Sequence, residues 1–246
     1  MSIDRLSFSL GQNAGRLKAS TPSHSWQPIQ AQAQALRKSL GEPRPQVVDI
    51  SNNILLQSLF GACGPLERAR KKLVLLSRKK GRIVPARGTT ASALKGSEHG
   101  EEGTDNENLV FVGVEFAQKY QGEEETLAGV LSHEWGHLVS DFPDHLTDEE
   151  LLALTPQDIQ ALRREEEAQA DSFAGKMLFL MNHSPQGLIR FLRRPENQKP
   201  SLTYDPVETR VAIIGESYQQ AKSKSESAKR LSLFPGLIST HLIALA

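Results

Sequence analysis

The chain has 246 residues, and its 29 basic side chains balance its 29 acidic side chains. This neutral net charge argues against a protein that binds nucleic acid or an anionic membrane by electrostatic attraction. The single cysteine excludes an internal disulfide, and no apolar run reaches the roughly 18 residues that a membrane-spanning helix needs. We therefore expect a folded domain without a membrane span, located in the cytoplasm.

Residues 1–44 are predicted to form a flexible N-terminal tail. Up to Leu40 the chain is rich in Ser, Gln, Ala and Gly, and Asp4 is its only acidic residue there. Such a segment buries too little apolar surface to offset the entropy of ordering, apart from a helix near residues 29–40. Acid-poor, Ser-rich N-termini also suit type III export signals, so secretion into a host cell is the alternative location. The segment lacks the apolar core of a Sec signal peptide.

The folded part is predicted to extend from residue 45 to residue 218. It begins with a short strand at residues 47–50, and two helices follow near residues 54–60 and 66–76. A β-rich run then begins at Leu109 and ends at Val114, and it is the strongest strand signal in the chain. The pattern predicts later helices near residues 186–193 and 206–221, and a C-terminal tail that we place at residues 219–246.

A helix predicted near residues 123–139 carries the sequence His-Glu-Trp-Gly-His at residues 133–137. Glutamates at its start complement the helix dipole, and its apolar residues repeat at helical spacing. Four residues advance a helix by about 400°, so His133 and His137 emerge on one face and can bind one metal ion. Glu134 lies about 100° from His133, close enough to serve as a general base towards a metal-bound water.

A second long helix, predicted near residues 156–181 with Thr155 as its N-cap, offers the strongest candidate for a third metal ligand. Zinc in a catalytic site has three protein ligands and one water. Residues 167–171 read Glu-Ala-Gln-Ala-Asp. Glu167 and Asp171 share one helical face, so Glu167 can bind zinc while Asp171 accepts a hydrogen bond from a ligand histidine and fixes its ring. Small and apolar neighbours favour close packing of this helix against the first.

These motifs, with the Leu-Val-Phe-Val-Gly strand before them, resemble the gluzincin metallopeptidases of the HtpX and CAAX-prenyl-protease type. The resemblance covers roughly residues 47–214. It implies an α+β, mainly helical, zincin-like fold, in which a small β-sheet packs on an active-site helix and a second, ligand-bearing helix. It also implies that His133, His137 and Glu167 bind zinc and that Glu134 is the base. The strand from Leu109 to Val114 would then be the edge strand that pairs with an extended peptide substrate.

A segment around residue 205 resembles the family's Thr-His-Pro-x-x-x-x-Arg sequence. Here Asp205 stands in place of the histidine, which argues against a role for this loop as a histidine gate over the metal. Tyr204 or Arg210 could instead stabilise the oxyanion of the reaction, or both could be structural. The chain lacks the family's membrane helices, so the resemblance does not imply a prenylated substrate.

The sequence therefore predicts a zinc-dependent endopeptidase that hydrolyses peptide bonds of a protein substrate. Zinc would lower the pKa of its bound water, and Glu134 would take the proton and return it to the leaving amine. One alternative is a module that binds zinc, has no proteolytic activity and engages a partner protein. Another interpretation treats the His-Glu-x-x-His motif as accidental in a helical interaction protein.

Overall fold

The computed structural model of the chain describes residues 44–96, 107–142, 145–198 and 202–233, together with residues 32, 33 and 35. Most of the predicted N-terminal tail, including most of its helix near residues 29–40, and the end of the C-terminal tail lie outside the described residues. The described part is mainly helical with a small sheet, which confirms the α+β class. Its helices are α1 Ile54–Phe60, α2 Pro65–Ser77, α3 Val114–Lys119, α4 Glu124–Val139, α5 Asp148–Ala153, α6 Pro156–Leu180, α7 Gln186–Leu192 and α8 Val207–Leu233.

The sheet contains three strands, β1 Arg82–Ala86, β2 Ala91–Leu94 and β3 Leu109–Gly113. β3 lies in the centre, parallel to β1 and antiparallel to β2. The prediction that the strand from Leu109 to Val114 is an edge strand is therefore wrong, because both edges of β3 are already hydrogen-bonded to neighbouring strands. All but the first of its side chains are buried, which is typical of a strand covered on both faces.

Two other predicted boundaries differ from the structure. Val47 forms only an isolated bridge with Ala86, so the strand predicted at residues 47–50 does not form. The last helix is longer than predicted, since α8 begins at Val207 and continues to Leu233, past the boundary placed at residue 218. Neither α8 nor any other helix in the described part of the chain is long and apolar enough to cross a membrane.

Helix α4 runs through the core of the fold. Twelve of its 16 residues are buried, and the indole of Trp135 is fully enclosed. A helix that is covered on most of its surface belongs to the interior rather than to a solvated layer. It packs against α2, α6, α7 and β2. The predicted motif helix is thus a rigid element that holds its side chains in fixed positions.

Helix α6 begins after the predicted N-cap Thr155, which forms a capping box with Asp158. The Thr155 hydroxyl accepts a hydrogen bond from the backbone N–H of Asp158, and the Asp158 carboxylate accepts one from the backbone N–H of Thr155. Such reciprocal caps satisfy two of the free N–H groups at a helix start. The helix then extends for 25 residues between α4 and α8. This arrangement brings the middle of α6 against the histidine motif on α4.

Helices α4 and α6 approach each other closely at Gly136 and Ala170. A Cβ atom on Gly136 would lie 2.7 Å from the Cα atom of Ala170. We therefore expect Gly136→Ala to lower the free energy of unfolding by about 1–3 kcal/mol, because the added methyl group pushes the two helices apart. Urea unfolding of the metal-free protein measures this change.

Gly215 in α8 is the matched control for this substitution. Nothing lies within 4 Å of the position that its Cβ atom would occupy. Alanine has the higher helix propensity, so Gly215→Ala should raise the free energy of unfolding by about 0.5–1 kcal/mol. The two substitutions should act in opposite directions. A stabilising effect of Gly136→Ala would mean that the two helices are not held together at this contact.

Candidate metal centre

The two histidines of the motif meet on one face of α4. The Nε2 atom of His133 lies 3.3 Å from the Nε2 atom of His137, and the two ring planes are 86° apart. The four-residue spacing accounts for this contact, because it places the side chains one above the other on the helix. Both Nε2 atoms therefore lie close together on one face of α4, as predicted.

Helix α6, which packs against α4, brings the carboxylate of Glu167 close to both Nε2 atoms. Its Oε2 atom lies 3.2 Å from Nε2 of His133, and its Oε1 atom lies 3.6 Å from Nε2 of His137. One potential ligand atom from each of the three side chains lies within 4.8 Å of the others. The group that the sequence predicts is thus brought together by the fold, and it could hold a metal ion.

The distances within this group fit a tetrahedral ion. Ligand atoms about 2.0–2.1 Å from zinc, at tetrahedral angles, lie about 3.3 Å from one another. The two Nε2 atoms are 3.3 Å apart, and each lies 3.2 or 3.6 Å from a different oxygen of the Glu167 carboxylate, so the three side chains are close to this spacing. The Oε2 atom of Glu167 is buried without a hydrogen-bond partner, and a cation would satisfy such an acceptor. Two imidazoles and one carboxylate form a ligand set of catalytic zinc, with a fourth position for water. The residues present therefore fit zinc.

Asp171 contacts the outer nitrogen of His133. The Nδ1 atom of His133 lies 2.9 Å from Oδ1 of Asp171, within ion-pair distance of a protonated ring, but the predicted hydrogen bond between them is not aligned. Arg210 on α8 donates hydrogen bonds of 2.7 and 2.9 Å to the two oxygens of Asp171. Burial raises the pKa of Asp171, but the hydrogen bonds with Arg210 and the contact with His133 hold it below its usual range. Asp171 is therefore an ionised carboxylate next to His133.

Glu166, which was not among the predicted site residues, contacts the outer nitrogen of His137. Its Oε1 atom accepts a hydrogen bond of 3.2 Å from Nδ1 of His137, and Arg163 donates one of 2.9 Å to its Oε2 atom. Burial raises the pKa of Glu166, but His137 and Arg163 together hold it below its usual range. The spacing of Arg163 and Glu166 predicts that the two side chains meet on α6, but it does not indicate that Glu166 reaches His137.

The charges around the histidines favour a bound cation. Three carboxylates contact the two imidazole rings, and two arginines pair with two of these carboxylates. Before any proton on the histidines is counted, the group therefore carries one net negative charge. The carboxylates are those of Glu166, Glu167 and Asp171, and the arginines are Arg163 and Arg210. Burial lowers the pKa of His133, but Asp171 and Glu167 outweigh burial and raise this pKa to about 10. A proton on His133 therefore neutralises the group, and a metal ion would displace that proton on binding.

Glu134 directly follows His133 on α4 and is buried, with 9% of its surface exposed. One residue advances the helix by about 100°, so its carboxylate lies beside the face that carries the histidines rather than on it. Consistent with this placement, Glu134 does not belong to the group of potential ligands among the described residues. Its role as general base stays a prediction.

The segment around residue 205 contributes to the site through Asp171. The side chain of Arg210 is only 13% exposed, and two of its N–H groups are engaged by Asp171. These donors face the carboxylate behind His133, which favours the structural alternative for Arg210, and a role towards an oxyanion stays a prediction. The guanidinium carbon of Arg210 lies 4.7 Å from the ring centroid of Tyr204, a cation–π contact. A catalytic role of Tyr204 stays a prediction, and Asp205 is half-buried.

Comparison with known proteins adds no relative to this picture. Neither a scan against protein-family models nor a search of curated proteins finds a match to the chain. The case for a function therefore rests on the residues and the geometry of the candidate metal centre.

Proposed function

We propose that the protein is a zinc-dependent endopeptidase of the gluzincin type. The observation that carries this proposal is the convergence of His133, His137 and Glu167 on one point, with Glu134 on the same helix as the histidines. Two imidazoles and one carboxylate favour zinc over magnesium or calcium, which prefer oxygen ligands. The carboxylate of Asp171 behind His133 supports the same proposal, because metal-binding histidines usually contact such a partner through their second nitrogen.

Each residue of the site would contribute differently to peptide hydrolysis. A zinc ion supplies Lewis acidity, which polarises a carbonyl group and lowers the pKa of a water molecule. The Glu134 carboxylate accepts a proton from the attacking water and then donates it to the leaving amine. Asp171, held by Arg210, keeps the imidazole of His133 in its position. The burial of Glu134 limits the exposure of its carboxylate to bulk water.

The observed strand order changes the edge at which a substrate would bind. Among the described residues, the outer edge of β2 carries no partner strand, and β2 packs against α4. The outer edge of β1 is covered, because Val48 donates a backbone hydrogen bond of 3.0 Å to Pro85. An extended peptide can add to an open edge through backbone hydrogen bonds. We infer that a peptide substrate pairs with Ala91–Leu94, the strand that packs against the helix carrying the histidines, rather than with Leu109–Gly113.

Digestion of a peptide library by the zinc-loaded protein tests the proposed activity. We expect cleavage within the peptides, which mass spectrometry detects as new termini. A chelator should abolish the cleavage and added zinc should restore it, whereas magnesium should not, because two of the three ligands are imidazoles. Stoichiometric zinc binding without cleavage of any library peptide would instead identify a zinc-binding interaction module.

A further inference from the structure

Helix α6 supplies a carboxylate to the outer nitrogen of each histidine. Asp171 contacts Nδ1 of His133, and Glu166 contacts Nδ1 of His137. Each carboxylate is itself held by an arginine, and each arginine lies over an aromatic ring. The resemblance to the gluzincin motif accounts for Asp171 only. Glu166 has no part in the proposed reaction so far, although it is 6% exposed and makes charged contacts through both oxygens.

We propose that Glu166 is a positioning residue for the metal ligand His137, and that Arg163 holds Glu166 in place. This inference rests on the proposed metal site, because it concerns how one ligand of that site is oriented. It predicts that Glu166 contributes to metal affinity without contacting the metal ion itself.

The hydrogen bond to Glu166 selects one form of the His137 ring. A neutral imidazole carries one N–H, and an ionised carboxylate only accepts hydrogen bonds. The bond between Nδ1 of His137 and Glu166 therefore places the proton on Nδ1 and leaves the lone pair on Nε2. That Nε2 atom is the one that lies 3.3 Å from His133 and 3.6 Å from Glu167. Glu166 thus favours both the tautomer and the ring orientation that metal binding needs.

Arg163 fixes the orientation of the Glu166 carboxylate. It donates to Oε2, while the other oxygen of Glu166 accepts from His137. The guanidinium carbon of Arg163 lies 5.1 Å from the centroid of the Phe142 ring, which follows the end of α4. Charge-assisted hydrogen bonds of this kind are roughly twice as strong as neutral ones. With both oxygens engaged, the carboxylate keeps the acceptor atom at the histidine ring.

Glu165 provides a matched control on the same helix. It is exposed, and its carboxylate accepts a hydrogen bond of 3.4 Å from Gln169 one turn along α6. A Glu165→Ala variant therefore removes the same charge and the same side chain from α6 as Glu166→Ala does. It leaves the contact between Glu166 and His137 intact, so the difference between the two variants isolates that contact.

The test compares the zinc affinity of the wild-type chain with that of Glu166→Ala, Glu166→Gln and Glu165→Ala, by competition with a chromophoric chelator. We expect Glu166→Ala to weaken zinc binding about 10- to 100-fold, the usual effect of removing a partner of a ligand histidine. Glu166→Gln should lose less zinc affinity than Glu166→Ala. Its amide oxygen still accepts the hydrogen bond from His137, although it carries no charge. The visible spectrum of the cobalt(II)-loaded protein should shift for Glu166→Ala and match the wild type for Glu165→Ala, since only a change at the ligands alters it.

The outcomes separate this inference from the proposed function. Zinc affinities of Glu166→Ala and Glu165→Ala within twofold of each other, with unchanged cobalt spectra, would overturn the positioning role while the metal site stands. If Glu166→Ala does not fold, the same twofold criterion applies to Glu166→Gln. A wild-type chain that binds no zinc would refute the metal site itself, and this inference with it.

Discussion

Replacement of Glu134 by glutamine should lower the rate of peptide cleavage at least about 100-fold while the chain still binds zinc. Glutamine has nearly the same shape as glutamate, so the packing of α4 around this buried position should not change. Its amide cannot accept the proton of the attacking water, and the loss of a general base typically lowers the rate about 100- to 10,000-fold. We expect a fall of at least about 100-fold in kcat, measured on a peptide from the library that the wild type cleaves.

The matched control is Glu165→Gln, which makes the same chemical change at an exposed glutamate of α6. It should retain wild-type cleavage, and both variants should bind zinc as the wild type does. Full activity of Glu134→Gln would remove Glu134 from the mechanism. Loss of zinc together with loss of cleavage would mean that Glu134 supports the metal site instead of moving a proton.

Replacement of Arg210 by methionine should lower the free energy of unfolding of the metal-free protein by about 3 kcal/mol. The side chains of Arg210 and Asp171 are 13% and 1% exposed, and two hydrogen bonds join them. Removal of one partner from a buried ion pair leaves a charge in the interior without its compensation, which costs about 3–5 kcal/mol. His133 still neutralises part of the Asp171 charge, so the lower end of this range applies. Urea unfolding of metal-free protein gives the value without a contribution from zinc.

The chain contains a matched pair at the surface. Arg193 makes two hydrogen bonds to Glu208 with similar geometry, but the side chains are 50% and 71% exposed. Exposed ion pairs contribute about 0–1 kcal/mol, so Arg193→Met should have little effect. The difference between the two variants measures the effect of burial on the Arg210 pair. Equal losses would show that Asp171 does not depend on Arg210.

The helices of the site could be predicted because local patterns specify them. The spacing of apolar residues defines α4, and Thr155 and Asp158 define the start of α6 through a capping box. The pairing of the two helices was also accessible from the sequence. Gly136 and Ala170 leave room for close contact, and this contact places Glu167 opposite the histidines.

The strand order could not be obtained from the residues of β3 by themselves. β3 lies between β1 and β2 because its backbone forms hydrogen bonds with both of these strands, which come from other segments of the chain. One signal did favour the central position, because an uninterrupted apolar run is typical of a strand that is buried on both faces. The resemblance to a family with a substrate-binding edge strand outweighed that signal and led to the wrong assignment.

Glu166 and the length of α8 were missed for different reasons. Three adjacent glutamates at residues 165–167 are chemically identical, and the rotation of α6 against α4 decides which of them meets a histidine. That rotation is set by tertiary packing, which spacing within one helix does not reveal. For α8, the charged and Ser-rich composition after residue 218 favoured a tail. Residues 216–233 contain neither glycine nor proline, so no local signal ends the helix there.

The number of zinc ions bound per chain tests the central claim most directly. Metal-free protein would be titrated with zinc, next to a variant in which His133 and His137 are both replaced by alanine. We expect one zinc ion per wild-type chain and no binding at this site in the variant, because a single carboxylate from Glu167 remains. Ferrous iron, which the same ligand set can hold, should bind more weakly than zinc. Failure of the wild-type chain to bind zinc, or equal binding by the variant, would contradict the proposed metallopeptidase.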